Sequence, residues 1–214
     1  MPNPTSRDSI DTMIERLREK HPNAKYELNW TTPEQLLVAT ILAAQCTDER
    51  VNKVTETLFQ KYPSPKAFAQ ADITELEEDL KPTGFFRQKA KTVREVNRAI
   101  IDRFGGKVPH TIEEMTTLPG VARKSANVVL NTAFNMPTGI IVDTHVARVS
   151  QRMGLSRKEK PEEIEADLMK IVPKDEWTFF GPATVLHGRY TCMAKKPQCG
   201  SCMLAPLCEK NGVG

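Results

Sequence analysis

The 214-residue chain is predicted to be all-α, on three observations. Apolar residues recur at helical spacing along nearly its whole length. No stretch alternates apolar and polar residues as a half-buried strand does, and Gly139-Ile-Ile-Val142 is too short to count. Short connections punctuated by proline and glycine separate the periodic segments.

Ile10, Met13, Ile14 and Leu17 form an i, i+3, i+4, i+7 stripe behind the capping candidates Thr5 and Ser6. Thr32, with Pro33 in the first turn, opens a second helix whose face continues through Leu36, Leu37, Thr40, Ile41 and Ala44. Val51, Val54, Leu58 and Phe59 mark a third helix, which stops before Pro63. Ile73, Leu76 and Leu80 give a short one ending near Pro82 and Gly84. Val93, Val96, Ile100 and Ile101 lie on a longer one that stops at Gly105-Gly106. Further helices are predicted over 112–117, 123–134, 144–153, 162–171 and 176–190. No low-complexity linker separates domains, so composition places no boundary.

Hydrophobic residues are 39% and charged residues 27%, an ordinary globular composition for one large domain or two small ones. No segment approaches the roughly 20 apolar residues of a membrane span. The start of the chain, Met1-Pro-Asn-Pro-Thr-Ser-Arg-Asp8, lacks the apolar core of a signal peptide. A cytoplasmic protein with reduced thiols is expected. Net charge is only +3, but charge is unevenly spread. Seven bases (Arg87, Lys89, Lys91, Arg94, Arg98, Arg103 and Lys107) stand against Glu95 and Asp102, just after an acidic run from Asp72 to Asp79. That segregation fits either a surface facing phosphates or a solvated helix face.

Four of the five cysteines are spaced Cys192-x6-Cys199-x2-Cys202-x5-Cys208. Four thiolates can hold zinc or an iron–sulfur cluster. Only Cys199 and Cys202 form a close pair, so the segment is one loop wrapped about its contents, which suits a cubane cluster better than a single ion. His187 can replace a thiolate in a zinc site, and a reducing compartment disfavours disulfides. Lys195 and Lys196 lie between the first two cysteines and present charge outward.

A second constellation is Leu118-Pro-Gly-Val-Ala-Arg-Lys124. A short helix ends, a Pro-Gly turn reverses the chain and a new helix begins. Amides around Gly120, Val121 and Ala122 then point outward at a helix N-terminus, where an anion can sit; an ordinary helix–helix connection has the same sequence signature. Lys124 falls in the first turn beside Arg123. The helix dipole, a neighbouring cation and partial burial would all favour its free amine, a potential nucleophile. In Val142-Asp-Thr-His145, Asp143 is a natural N-cap for the helix that follows. The intervening chain is long enough for Asp143 to return toward Lys124.

These motifs, together with Gly188-Arg-Tyr-Thr-Cys192 and the cysteine spacing, resemble the endonuclease III family of DNA-repair glycosylases in the helix-hairpin-helix superfamily, over essentially the whole chain. The resemblance implies a helical barrel domain at 26–135 carrying the hairpin. It also implies a cluster domain made of 1–25 and 136–214, with a DNA cleft between the two. It makes Cys192, Cys199, Cys202 and Cys208 the ligands of a [4Fe–4S] cluster, Lys124 the nucleophile and Asp143 the catalytic carboxylate. The partner would be double-stranded DNA containing damaged bases or abasic sites, bound by a monomer at the nucleoid. Gln45 would enter the space left by a flipped nucleotide, and Phe85 would take the place of an apolar wedge. Gly120, Val121, Ala122, Arg123, His145, Lys195 and Lys196 would contact DNA. Two positions depart from the family pattern: Ala122 replaces a second hairpin glycine, where alanine is expected to be tolerated, and Phe85 replaces a common leucine. An adenine-mismatch glycosylase is disfavoured by Lys124; a redox carrier has no need of Lys124 and Asp143 together, and a purely DNA-binding protein would tolerate Lys124→Gln.

Overall fold

The computed structural model describes residues 3–213. Its α-helices are α1 (Arg7–Lys20), α2 (Pro33–Leu42), α3 (Asp48–Lys61), α4 (Pro65–Gln70), α5 (Ile73–Leu80), α6 (Phe86–Phe104), α7 (Ile112–Met115), α8 (Arg123–Phe134), α9 (Thr144–Met153), α10 (Pro161–Ile171) and α11 (Trp177–Tyr190). Among the described residues there is no strand, so the all-α expectation holds. No helix among them is long and apolar enough to cross a membrane.

Most helix starts follow capping chemistry. Ser6, Thr32, Thr47, Ser64, Asp72, Thr111 and Asp143 each accept a hydrogen bond from a backbone amide of the first turn. Each such cap stabilises its helix by about 1 kcal/mol. Helix α4 lay outside the periodicity reading because six residues cannot display a stripe, although Ser64-Pro65 carries a start signal.

The chain divides into two compact units, Glu27–Asn135 on one hand and Met1–Tyr26 with Met136–Gly214 on the other. In the contiguous unit, α2 is buried almost all round through Leu36, Leu37, Val38, Ala39, Ile41 and Leu42. It packs against α3, α6 and α8, while α6 also covers α4 and α5. A helix apolar on every side belongs at the centre of such a unit. Helix α6 turns Val93, Val96 and Ile100 inward, and Gly105 ends it in the left-handed region.

The discontinuous unit has its own core. The stripe of α1, Ile10, Met13, Ile14 and Leu17, meets Val146 and Val149 of α9, Ile164 and Leu168 of α10, and Phe180 and Ala183 of α11. Fully burying each large apolar side chain contributes about 2 kcal/mol. Helix α9 packs closely on α11. At Gly188 a Cβ would lie 2.9 Å from His145 Cβ, so the absent side chain sets how near the two helices come.

Candidate active site and cysteine loop

The hairpin joins α7 to α8 through Leu118–Ala122. Leu118 and Val121 are buried and bonded to each other, Val121 N–H donating to Leu118 O at 3.2 Å. Gly120 has φ 71°, and a Cβ there would overlap Cγ2 of Thr92 on α6. Glycine is required twice over, for its dihedral and for its lack of bulk. Arg103 of α6 holds the approach to the turn, donating to Thr117 O at 3.2 Å and Thr117 Oγ1 at 2.6 Å.

Ala122 is the N-cap of α8, with φ −81° and ψ 165°. This is extended backbone, which strains no L-residue. Alanine is tolerated there on conformational grounds. It supplies no capping side chain, so α8 begins without a side-chain acceptor for its first amides. Lys124 is the second residue of α8; it and Arg123 are exposed. Partial burial of Lys124 is therefore not found: it stands in the first turn of α8, ahead of the buried run that begins at Ala126.

Gln45 and Phe85 occupy two other loops of the same unit. Both have positive φ, 54° and 48°, although neither is glycine. Each such residue costs roughly 1–2 kcal/mol of backbone energy. Phe85 is 67% exposed, and Gln45 is exposed as well. A strained backbone that turns a phenylalanine ring to solvent does not serve the core.

The run of bases between Gly84 and Lys107 is not a continuous phosphate-facing surface. Lys89 is buried, Arg98 donates to Ala69 O at 3.1 Å and Arg103 holds Thr117. Lys91 lies 3.9 Å from Glu95, and Arg87 is 3.8 Å from Glu77. Lys89 falls on the stripe of Val93, Val96 and Ile100, a placement visible in the sequence that charge counting overlooks.

In the discontinuous unit, Asp143 caps α9. Its Oδ1 accepts from His145 N–H and Val146 N–H, both at 2.8 Å. Burial of the Tyr26 hydroxyl, followed by the negative charge of Asp143, pushes that phenol's pKa up, so it stays neutral. His145 Nδ1 is 3.2 Å from Arg148 Nη2. A guanidinium only donates, so Nδ1 accepts and the ring proton sits on Nε2.

The same helix holds the cysteine loop. Arg148 donates to Cys192 O at 3.1 Å and Gly188 O at 2.8 Å. Arg152 donates to Met193 O at 2.7 Å and Ala194 O at 3.0 Å, with Nη1 3.5 Å from Cys192 Sγ. These two arginines, one turn apart on α9, were not picked out from the sequence; their spacing of four after Asp143-Thr144 was the available signal.

Cys192, Cys199, Cys202 and Cys208 are free, half-buried and line one pocket together with Arg152, His187 and Leu204. Burial pushes the Cys202 and Cys208 thiols up, and neighbouring cysteines add to the effect against the pull of nearby backbone amides. Cys208 Sγ accepts from Lys210 N–H at 3.4 Å, and Cys202 Sγ lies 3.6 Å from His187 Nε2. Burial, with His21 nearby, brings His187 down to about 4, leaving it neutral. Among the described residues no group of three or more His, Cys, Asp or Glu side chains is arranged to hold a metal ion. The four cysteines nevertheless line the same pocket. Lys195 and Lys196 are exposed on this loop, Lys196 with φ 53°.

Residues 38–174 match the HhH-GPD superfamily base excision DNA repair protein family. Endonuclease III of Synechocystis sp. is 54% identical over 192 residues, spanning 90% of this chain and 88% of the relative. The chain belongs to the endonuclease III family. Endonuclease III of Escherichia coli K12 is 41% identical, over 92% of this chain and 93% of its own length. Among solved structures, a trapped endonuclease III–DNA covalent intermediate superposes with a TM-score of 0.89 at 42% identity, covering 96% of both chains. A non-covalent endonuclease III–DNA complex gives the same TM-score of 0.89 at 43% identity. The fold of this chain is therefore the endonuclease III fold, with α7 and α8 as its helix-hairpin-helix.

Proposed function

We propose that this chain is a bifunctional base-excision repair enzyme, a DNA N-glycosylase and DNA-(apurinic or apyrimidinic site) lyase acting on oxidised pyrimidines in duplex DNA. The observation that carries the reading is Lys124, an exposed amine in the first turn of a helix whose N-terminus has no side-chain cap. Kinship with endonuclease III, including a relative trapped covalently on DNA, supports a lysine that forms a covalent bond.

The damaged nucleotide leaves the stack, since its sugar carbon is out of reach inside the duplex. Gln45 fills the vacated space and Phe85 wedges the opposing strand. Backbone amides at Gly120, Val121 and Ala122 bind a DNA phosphate, with Arg123 beside them. The Lys124 Nζ lone pair attacks C1′, and the glycosidic bond breaks with its electrons leaving on the base, which takes up a proton. Opening of the sugar ring gives a protonated imine between Nζ and C1′. Loss of a C2′ proton then expels the 3′ phosphate by β-elimination. Asp143 stabilises the positive charge that develops on the sugar and relays protons. His145, Lys195 and Lys196 contact the DNA backbone.

Cys192, Cys199, Cys202 and Cys208 would hold a [4Fe–4S] cluster. Their free thiols around one pocket fit a multi-atom cluster, and metal binding would overcome the burial that keeps Cys202 and Cys208 protonated. When bound, the cluster supplies a cross-link that shapes the loop carrying Lys195 and Lys196. Residues 26–135 and 1–25 with 136–214 are the proposed barrel and cluster domains.

Borohydride trapping on a duplex containing an abasic site or an oxidised pyrimidine tests the mechanism. A covalent protein–DNA adduct is expected, and Lys124→Gln abolishes it while leaving the melting temperature unchanged. An adduct that persists in Lys124→Gln would move the nucleophile elsewhere.

A further inference from the structure

Lys89 is only 5% exposed, yet it is not paired with a carboxylate in the way buried cations usually are. Its Nζ donates to Leu42 O at 2.8 Å and to Thr83 O at 2.7 Å. Leu42 is the last residue of α2, and its carbonyl belongs to the negative end of that helix. Thr83 closes the 3₁₀ turn Lys81–Thr83, and its own hydroxyl donates to Leu80 O at 2.8 Å. The backbone of Lys89 adds a third tie, its N–H donating to Phe85 O at 3.0 Å.

The two carbonyls bound by this ammonium stand three residues before Gln45 and two before Phe85. They are the last buried anchors of two loops that otherwise run out into solvent, each ending on a side chain at positive φ. An apolar side chain of the same volume would leave both buried carbonyls without this donor, so part of what the ammonium contributes is stability. A methionine would fill the volume but could not link two carbonyls. What the ammonium adds is a fixed separation between the loops. Burial lowers the pKa of Lys89, opposed in part by Cys46, which neighbours Gln45.

We propose that Lys89 is a positioning residue that clamps the Gln45 and Phe85 loops at one spacing, so that both side chains enter the duplex together. This rests on the reading of Gln45 and Phe85 as the inserting residues. Lys89 itself touches neither DNA nor the reacting atoms. It holds the geometry against the force of base stacking.

The test uses the full chain and a duplex with a stable abasic analogue opposite 2-aminopurine, whose fluorescence rises when it is unstacked. Lys89→Met is expected to abolish that rise at saturating protein, read well below the melting temperature of the variant, which should itself fall because Leu42 O and Thr83 O lose this donor. In a Gln45→Ala, Phe85→Ala background, Lys89→Met should change nothing further, because the loops then have nothing to insert. A full rise with Lys89→Met, or a loss that adds undiminished to that of the double variant, would overturn the proposal. A full rise in the Gln45→Ala, Phe85→Ala protein would instead sink the insertion reading, and the clamp would fall with it. Lys89→Gln, shorter but still a donor, serves as the second variant and is expected to lose the rise as well. If neither variant folds, Lys89 is a stability element and the positioning role is wrong.

Discussion

Gly120 illustrates how tightly single residues are specified in the hairpin. Its positive φ and the nearness of Thr92 Cγ2 are separate constraints, and they separate by experiment. Gly120→Ala should destabilise the protein by about 3 kcal/mol, the sum of a left-handed backbone and an overpacked contact. In a Thr92→Ser background, which removes the methyl, the cost should shrink to about 1 kcal/mol. Urea denaturation of the four proteins checks this, and an undiminished cost would mean that the backbone dihedral carries the whole effect. The residue scale is also where sequence reading succeeded and failed most sharply. Asp143 was legible because an aspartate before a helix has one dominant local use, and the same carboxylate can cap and still face a substrate. Lys89 was not, because a lysine in a basic run looks solvated unless its place on the apolar stripe of α6 is weighed against its charge.

Among the elements, α8 departs from its neighbours. Among the described residues seven helices start on a side-chain cap, α7 and α9 on either side of it included; α8, like α6, α10 and α11, does not, and its Ala122 can offer none. Ala122→Ser should therefore stabilise the free protein by about 1 kcal/mol. It should also weaken DNA binding, since the new hydroxyl would compete with phosphate for the same amides. Thermal melting and a binding titration test the two halves, and a gain in stability with unchanged affinity would place the phosphate elsewhere. Boundaries of the longer helices were readable because caps, prolines and glycines stand at them; α9 and α8 begin and end where periodicity puts them. Helix α4 was too short to read. The bond from Arg152 to the cysteine loop was hidden for a different reason, as periodicity reports which face a helix buries and not which distant carbonyl an arginine reaches.

For the molecule as a whole, α9 links the two chemistries of its unit, with Asp143 at its first turn and the cysteine loop bonded to its last. Asn211 donates to Arg152 O at 3.0 Å and to Gln151 O at 3.2 Å, so the segment after Cys208 also closes on this helix. If the four cysteines hold the cluster proposed above, Cys208→Ser should abolish its visible absorbance and lower hydrogen-exchange protection in α9 and α11. Protection in α2 and α8 should hold, because that unit has its own core. Equal loss in both units would show that they unfold as one. The division into a contiguous and a discontinuous unit also orders events during synthesis. Glu27–Asn135 leaves the ribosome as an uninterrupted stretch able to fold at once. Helix α1 emerges well before α11 and must wait for it before Ile10, Met13, Ile14 and Leu17 are covered. At typical elongation rates that delay is on the order of ten seconds. For that interval the nascent chain shows a greasy helix with no partner, and α1 is where a chaperone would have most to do.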